Sequence, residues 1–129
     1  MKLNSATSVL LVDRVEPTRD FFARAGFAAI VEVPDGERLG FAILQKDGVQ
    51  VMVETRGNKA EPAEMQSLSR EARRALVFLE VDDVEALIAA LAGCKVAVPR
   101  HKTFYGADEL TYEEPGGNLV TFAQMAREA

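Results

Sequence analysis

The apolar positions of this chain fall into two similar runs. In the first, SVLLV (8–12) reads as a strand, and Phe21, Phe22 and Ala25 form a helical stripe that Gly26 ends, with Pro17 where a first helical turn tolerates it. Residues 27–33, 39–45 and 49–54 then read as three strands, separated by the turn PDGE (34–37) and the hairpin KDG (46–48). In the second run, 75–81 is a strand, Asp82 or Asp83 caps a helix, and Val84, Leu87, Ile88 and Leu91 fall at i, i+3, i+4 and i+7. Strands near 95–100, 109–114 and 118–124 follow. The last two are joined by EEPGGN, where Pro115 presets φ and Gly116 and Gly117 can take positive values. Each run is a strand, a helix and three strands, so the expected fold class is α+β, two tandem βαβββ modules.

The two runs also match residue by residue. Val12-Asp13-Arg14-Val15-Glu16 lies on Val81-Asp82-Asp83-Val84-Glu85 at an offset of 69. A small slip at the helix ends brings Gly26 to Gly93, and the offset of 69 returns where GVQVMVE (48–54) lies on GNLVTFA (117–123). The expected organisation is a first module at 1–54, a linker at 55–74 with a helical turn or two after Pro62, and a second module at 75–129. Together these make one compact domain, or modules exchanged within a dimer.

The phase of the closing strands assigns their faces. Val49, Val51 and Val53 alternate with Gln50, Met52 and Glu54, and the valine row suits packing against a helix. In the second module Val120 and Phe122 take the helix side and leave Leu119, Thr121 and Ala123 on the other. Each sheet is thus expected to have one covered face and one free face. Two free faces can line a shared cleft, with the helices on the outer sides.

Charge and composition narrow the partners. With 15 Lys+Arg against 20 Asp+Glu in 129 residues, the formal net charge is −5, which argues against a nucleic-acid binder and permits a cationic ligand. Cys94 is the single cysteine, so no internal disulfide forms, and a lone thiol suits a reducing compartment. No apolar stretch reaches the length of a membrane span and no cleavage-type leader pattern is present, so a soluble cytoplasmic protein is expected.

Three stretches, VDRVEPTRDFFARAGF, EVDDVEAL and FYGADELTYEEPGGNLVTFA (104–123), together make the chain resemble the vicinal oxygen chelate superfamily. That superfamily includes glyoxalase I, extradiol dioxygenases, fosfomycin-resistance enzymes and bleomycin-resistance proteins. The resemblance spans nearly the whole chain and is strongest in the closing hairpin, which in the family reads as an acidic residue, Pro, any residue, Gly and Asn. It implies a divalent metal held by His, Gln or Glu from the first and last strands of each module. The corresponding positions here are Thr7, Met52, Leu76 and Thr121, and none suits a hard or borderline cation. No metal, no other cofactor and no catalytic residue is therefore expected.

The remaining candidates are weighed by residue type. Gln50, Met52, Glu54, Phe78 and Glu80 share the cleft-facing phase and fit a pocket for a semi-polar organic molecule. In the loop at 101–110, Tyr105 can stack on a ligand and Glu109 can pair with a ligand cation. With Thr121 these eight residues form the expected ligand-binding cleft. His101 reads as an exposed loop histidine and Cys94 as a structural thiol. The expected function is a metal-free, bleomycin-resistance-like protein, homodimeric, that sequesters a small organic molecule, a cationic or antibiotic-like one included, without turnover. The alternative is a metal-dependent lyase, isomerase or dioxygenase with an atypical ligand set such as Gln50, Glu54, Glu80 and Glu109.

Overall fold

The computed structural model describes residues 1–126. The chain forms two compact units, one spanning Met1–Arg73 and one from Arg74 onward. The first contains β1 (Ser8–Val12), α1 (Val15–Arg24), β2 (Ala28–Asp35), β3 (Arg38–Lys46), β4 (Val49–Thr55) and α2 (Ala63–Glu71). The second contains β5 (Leu76–Glu80), α3 (Val84–Ala90), β6 (Val96–Lys102), β7 (Ala107–Glu113) and β8 (Leu119–Met125). Their sheets have equivalent strand orders, β1-β4-β3-β2 and β5-β8-β7-β6, and the α+β tandem expected from the sequence is what forms.

The duplication extends to hydrogen-bond register. In each unit the first and last strands run parallel, with Ser8 opposite Val51 and Val77 opposite Val120. Adding 69 to both members of the first pair gives the second. The other ladders are antiparallel, and the outer pair of each sheet carries two register shifts.

α1 forms because Val15, Thr18, Phe21 and Phe22 place one buried face on the helix, and that face packs on β3 and β4. It ends in a Schellman motif: Gly26 N–H donates to Ala23 O and Phe27 N–H to Phe22 O, both at 3.0 Å, with Gly26 at φ +98°. The rings of Phe22 and Phe27 meet edge-to-face at 5.3 Å, which supplies the hydrophobic contact usual in this cap. α3 is shorter. Asp83 caps it, its Oδ1 accepting from Ala86 N–H at 3.0 Å, and Val84, Leu87 and Leu91 are buried.

Three details differ from the sequence reading. The two hairpin endings share a place and a glycine but not a turn. Asp47 and Gly48 both have positive φ (50° and 78°), as a type I′ turn requires. In the later hairpin only Gly117 of the glycine pair does (92°), Gly117 N–H donates to Glu114 O at 2.8 Å, and Glu114 N–H to Asn118 O at 2.9 Å. This is a three-residue loop with one left-handed residue. Next, His101 lies in β6 opposite Glu109 rather than in a loop. Finally, residues 55–74 hold the nine-residue α2, tied back to the end of β4. There Arg56 Nη1 donates to Ser69 O at 3.3 Å and to Ala72 O, and Gly57 N–H donates to Ser69 Oγ at 2.8 Å.

The acid and Asn of the closing hairpin are buried working parts. Glu114 Oε1 accepts from Asn118 N–H (3.0 Å) and Asn118 Nδ2 (2.9 Å), and its Oε2 from Gly116 N–H (2.8 Å). Asn118 Oδ1 accepts from Ala75 N–H at 2.8 Å, which joins this turn to the start of β5. Replacing Asn118 by Ala removes the Nδ2 bond to the buried carboxylate of Glu114 and strips Ala75 N–H of its acceptor. The expected cost is about 1–3 kcal/mol, read from urea unfolding; a change below a few tenths would show that this hairpin does not anchor β5.

Candidate functional site

Each sheet has a face that its helix does not cover. In the first unit the helix side carries Leu10, Val12, Ala42, Leu44, Val51 and Val53, all at most 1% exposed. Residues opposite one another in register share a face, so the other side carries the rows Val9–Met52–Ile43 and Leu11–Glu54–Phe41. Gln50 lies on this face beside Gln45, at the far end of β4.

At the Glu54 end of this face the structure contains a cavity of about 320 Å³. It is lined by Val33, Pro34 and Asp35 of β2, Gly40 and Phe41 of β3, Glu54, and Asn58, Lys59, Ala60 and Glu61 from the turn after β4. Asn58 pins that turn: its Nδ2 donates to Gly40 O at 3.0 Å, and its Oδ1 accepts from Ala60 N–H at 2.9 Å. Glu61 is fixed at both backbone ends, its N–H donating to Asn58 O (3.0 Å) and its O accepting from Gln66 Nε2 (2.9 Å). Gly40 is required by closeness, since a Cβ there would come within 3.1 Å of Asp35 Cβ and 3.2 Å of Asn58 Nδ2. The wall is therefore a built surface.

Glu54 is the perturbed group of the cavity. Burial and a carboxyl–carboxylate hydrogen bond with Glu61, together with that group's charge, push its pKa up to about 7. Glu54 therefore keeps its proton under conditions in which an isolated glutamate is ionised. No ion pair joins Lys59 to either of them among the described residues.

In the second unit the free face carries the rows Phe78–Thr121–Thr111 and Glu80–Ala123–Glu109, the latter continuing to His101. Phe78 and Glu80 are exposed, whereas Thr121, Ala123, Thr111 and Glu109 are buried, so β7 and β8 are more enclosed on this face than a free face was expected to be. The hydroxyls of Thr111 and Thr121 share a hydrogen bond at 2.6 Å. Tyr105 OH donates to Glu109 Oε1, and this bond is the main reason its phenol pKa is raised. Tyr105 and Glu109 thus first satisfy each other, at the edge of a loop whose Phe104 is fully exposed. Cys94 is half-buried at the C-terminal end of the α3 segment.

The four positions where the resembling enzymes hold a metal do not fit one. Leu76 has no donor atom, Met52 offers a thioether among Val9 and Ile43, and Thr7 and Thr121 offer neutral hydroxyls, that of Thr121 already engaged by Thr111. Among the described residues no group of three or more His, Cys, Asp and Glu side chains is placed to hold a metal ion. Nor is any helix of the described residues long and apolar enough to cross a membrane.

Several residues of the first cavity escaped the sequence reading. Asn58, Lys59 and Glu61 fall in the stretch read as the linker, and Val33, Pro34 and Asp35 in the strand 27–33 and the turn PDGE. Asn58 followed by a Pro62 helix start was the one available signal of a fixed turn. The Glu54–Glu61 pair sets a pH dependence with a definite sign. Because the folded pKa of Glu54 lies above the unfolded one, its contribution is fully present below about pH 4.5 and is lost as pH rises through about 7. Thermal melts of the wild type should therefore fall across this window, and Glu54→Gln should flatten the slope; an unchanged slope would show that the two carboxyls titrate independently.

The model of the Glyoxalase/Bleomycin resistance protein/Dioxygenase superfamily matches residues 2–122. No curated protein matches the chain. Among solved structures, TioX from Micromonospora sp. ML1 is similar with a TM-score of 0.74 at 19% identity, over 95% of this chain and 99% of that one. TnmS3, an antibiotic binding protein from Streptomyces sp. CB03234, gives 0.65 at 20% identity over 98% and 100%. A bleomycin resistance determinant encoded on the transposon Tn5 gives 0.68 at 17% identity over 97% and 100%. These likenesses establish a common fold, and the family match over most of the sequence places this chain in the glyoxalase/bleomycin resistance protein/dioxygenase superfamily.

Proposed function

We propose that the protein binds a small organic molecule on the free faces of its sheets and sequesters it without turnover. The observation that carries this reading is the cavity at Glu54, in which apolar walls (Val33, Pro34, Phe41) meet a few fixed polar groups, the composition usual for small-molecule sites. The residue types at Thr7, Met52, Leu76 and Thr121 support a metal-free mode of action. The printed descriptions of two structural neighbours, an antibiotic binding protein and a bleomycin resistance determinant, support an antibiotic-like ligand. In this reading Gln50, Met52 and Glu54 contribute from the first unit, and Phe78, Glu80, Tyr105, Glu109 and Thr121 from the second. Residues 1–54 and 75–129 act as the two modules, with 55–74 between them.

The working form in this proposal is a homodimer. Its support is the outermost strands β2 and β6, exposed throughout, which present Ile30, Val31, Val33, Val96 and Val98 to solvent. The lone Cys94 supports a reducing, cytoplasmic setting.

A thermal-shift screen of amphiphilic small molecules and antibiotics tests the reading, followed by mass analysis of each recovered binder. A true ligand at a hundredfold excess over Kd should stabilise the protein by about 2.7 kcal/mol and be recovered chemically unchanged. Conversion of the ligand, or stabilisation by micromolar Mn²⁺, Ni²⁺, Zn²⁺ or Fe²⁺, would overturn it in favour of a metal-dependent enzyme. Light scattering should give twice the 14.1 kDa chain mass; a monomer would remove the dimer from the proposal.

A further inference from the structure

Of the groups outside the family's metal positions, Glu109 in the second unit goes furthest. It is only 6% exposed, and strand alternation decides which charges it can meet. Its neighbour Asp108 belongs to the other face of β7, where Arg100 at 2.8 Å and Lys102 at 3.5 Å neutralise it. Glu113, on the same face as Glu109 but at the far end of β7, takes Lys95 at 2.7 Å and Arg74 at 3.0 Å. Glu109 forms no ion pair among the described residues. Across the ladder it faces Ala123 on one side and His101 on the other, and His101 turns its Nδ1 to Pro99 O at 2.8 Å. Tyr105 OH satisfies Oε1 of Glu109, while Oε2 has no partner among the described residues and is not sealed off from solvent. A carboxylate enclosed to this degree is ordinarily matched by a cation, because burial removes hydration that one neutral donor only partly restores.

The groups beside Glu109 are held in place. Thr103 N–H donates to Ala107 O (2.9 Å), Gly106 N–H to Thr103 O (3.1 Å) and Ala107 N–H to Thr103 Oγ1 (3.0 Å), which pins the loop carrying Phe104 and Tyr105 at its base. Tyr105 is fixed twice over, its hydroxyl by Glu109 and its ring by Phe104, which meets it edge-to-face at 5.0 Å. Its side chain nevertheless stays 47% exposed, so a pre-positioned aromatic surface stands next to a carboxylate that lacks a counter-charge. Ala123, Thr121 and Thr111 continue the face beside it with small side chains.

We propose that Glu109 is the charge-reading group of the second unit's free face: its carboxylate takes the N–H-bearing cationic end of the ligand, an ammonium, amidinium or guanidinium, and the ligand's apolar or aromatic body lies along the Tyr105 ring. The Tyr105 hydroxyl positions Glu109, holding Oε1 and leaving Oε2 for the ligand's N–H. No proton and no covalent bond changes hands. A neutral molecule of the same shape keeps the ring contact but forgoes the charge-assisted hydrogen bond. The inference rests on the small-molecule-binding reading above and adds to it the ligand's charge and the residue that selects for it.

The probes are benzamidine, a cation at neutral pH, and benzamide, its neutral counterpart of nearly the same shape. Each is titrated into the full-length protein near neutral pH and followed by amide NMR shifts. Benzamidine should bind on the order of tenfold more tightly than benzamide, with shifts centred on Tyr105, Glu109 and Ala123. Glu109→Gln keeps the side chain's shape and its acceptor for Tyr105 but removes the charge. It should bring benzamidine down to the affinity of benzamide, and the unliganded variant should melt no lower than the wild type. Tyr105→Phe keeps the ring and releases Oε1; it should weaken benzamidine and leave benzamide as it was. A Glu109 with a structural role alone would instead lower the melting temperature when replaced by Gln and leave the ratio of the two affinities intact, which would overturn the inference. Equal binding of the two probes, shifts mapping away from β7 and its loop, or no binding of benzamidine would overturn it as well. Each of these results leaves the small-molecule-binding reading in place, because that reading falls only on the screen of unbiased compounds.

Discussion

Burying Leu10, Val12, Val51 and Val53 under α1 obliges Met52 and Glu54 to point the other way, because side chains alternate across a strand. The same constraint acts in the second unit through Val77, Val120 and Phe122. A βαβββ module has one substantial helix for its sheet, so it can cover one face only, and the other becomes available for function. The parallel pairing of first and last strands sets the register of that face. A slip of one residue would send Glu54 into the helix interface and a valine into the cavity.

Polar chemistry enters where that constraint leaves room, and the two units use it differently. In the second unit the acids are satisfied. Glu114 is wrapped by Gly116 and Asn118, Glu113 pairs with Lys95 at 2.7 Å and Arg74 at 3.0 Å, and Glu109 receives Tyr105. In the first unit Glu54 meets another acid instead. The equivalent position by the offset of 69 is Ala123, buried and inert, so the duplication was not preserved where it mattered electrostatically. This asymmetry gives the two closing strands different electrostatic surroundings at equivalent positions.

The resemblance in the chain pointed to the correct superfamily through particular residues. Gly26 and Gly93 mark helix ends, and both take positive φ (98° and 84°). The Glu-Pro-Gly-Gly-Asn turn reads as a hairpin because its local chemistry dictates one. The role of Asn118 was legible only as a turn residue, since its bond to Ala75 crosses 43 positions of sequence. His101 was read as loop because the strand near 95–100 was ended just before it, yet pairing with β7 carries β6 on to Lys102, as tertiary pairing overrides weak local preference.

What the amino-acid order determined by itself is whatever depends on neighbours within a few residues. This covers the alternation that separates a helix face from a free face, the caps and turns that set element ends, the 69-residue repeat, and the absence of metal-binding side chain types at four positions. The partnership of Glu54 with Glu61, the enclosure of Thr121 and Glu109, and the recruitment of Asn58 to a cavity wall were decided by the tertiary structure. Each depends on distances between backbone segments that only folding brings together, and both burial and charge coupling are functions of such distances rather than of residue type.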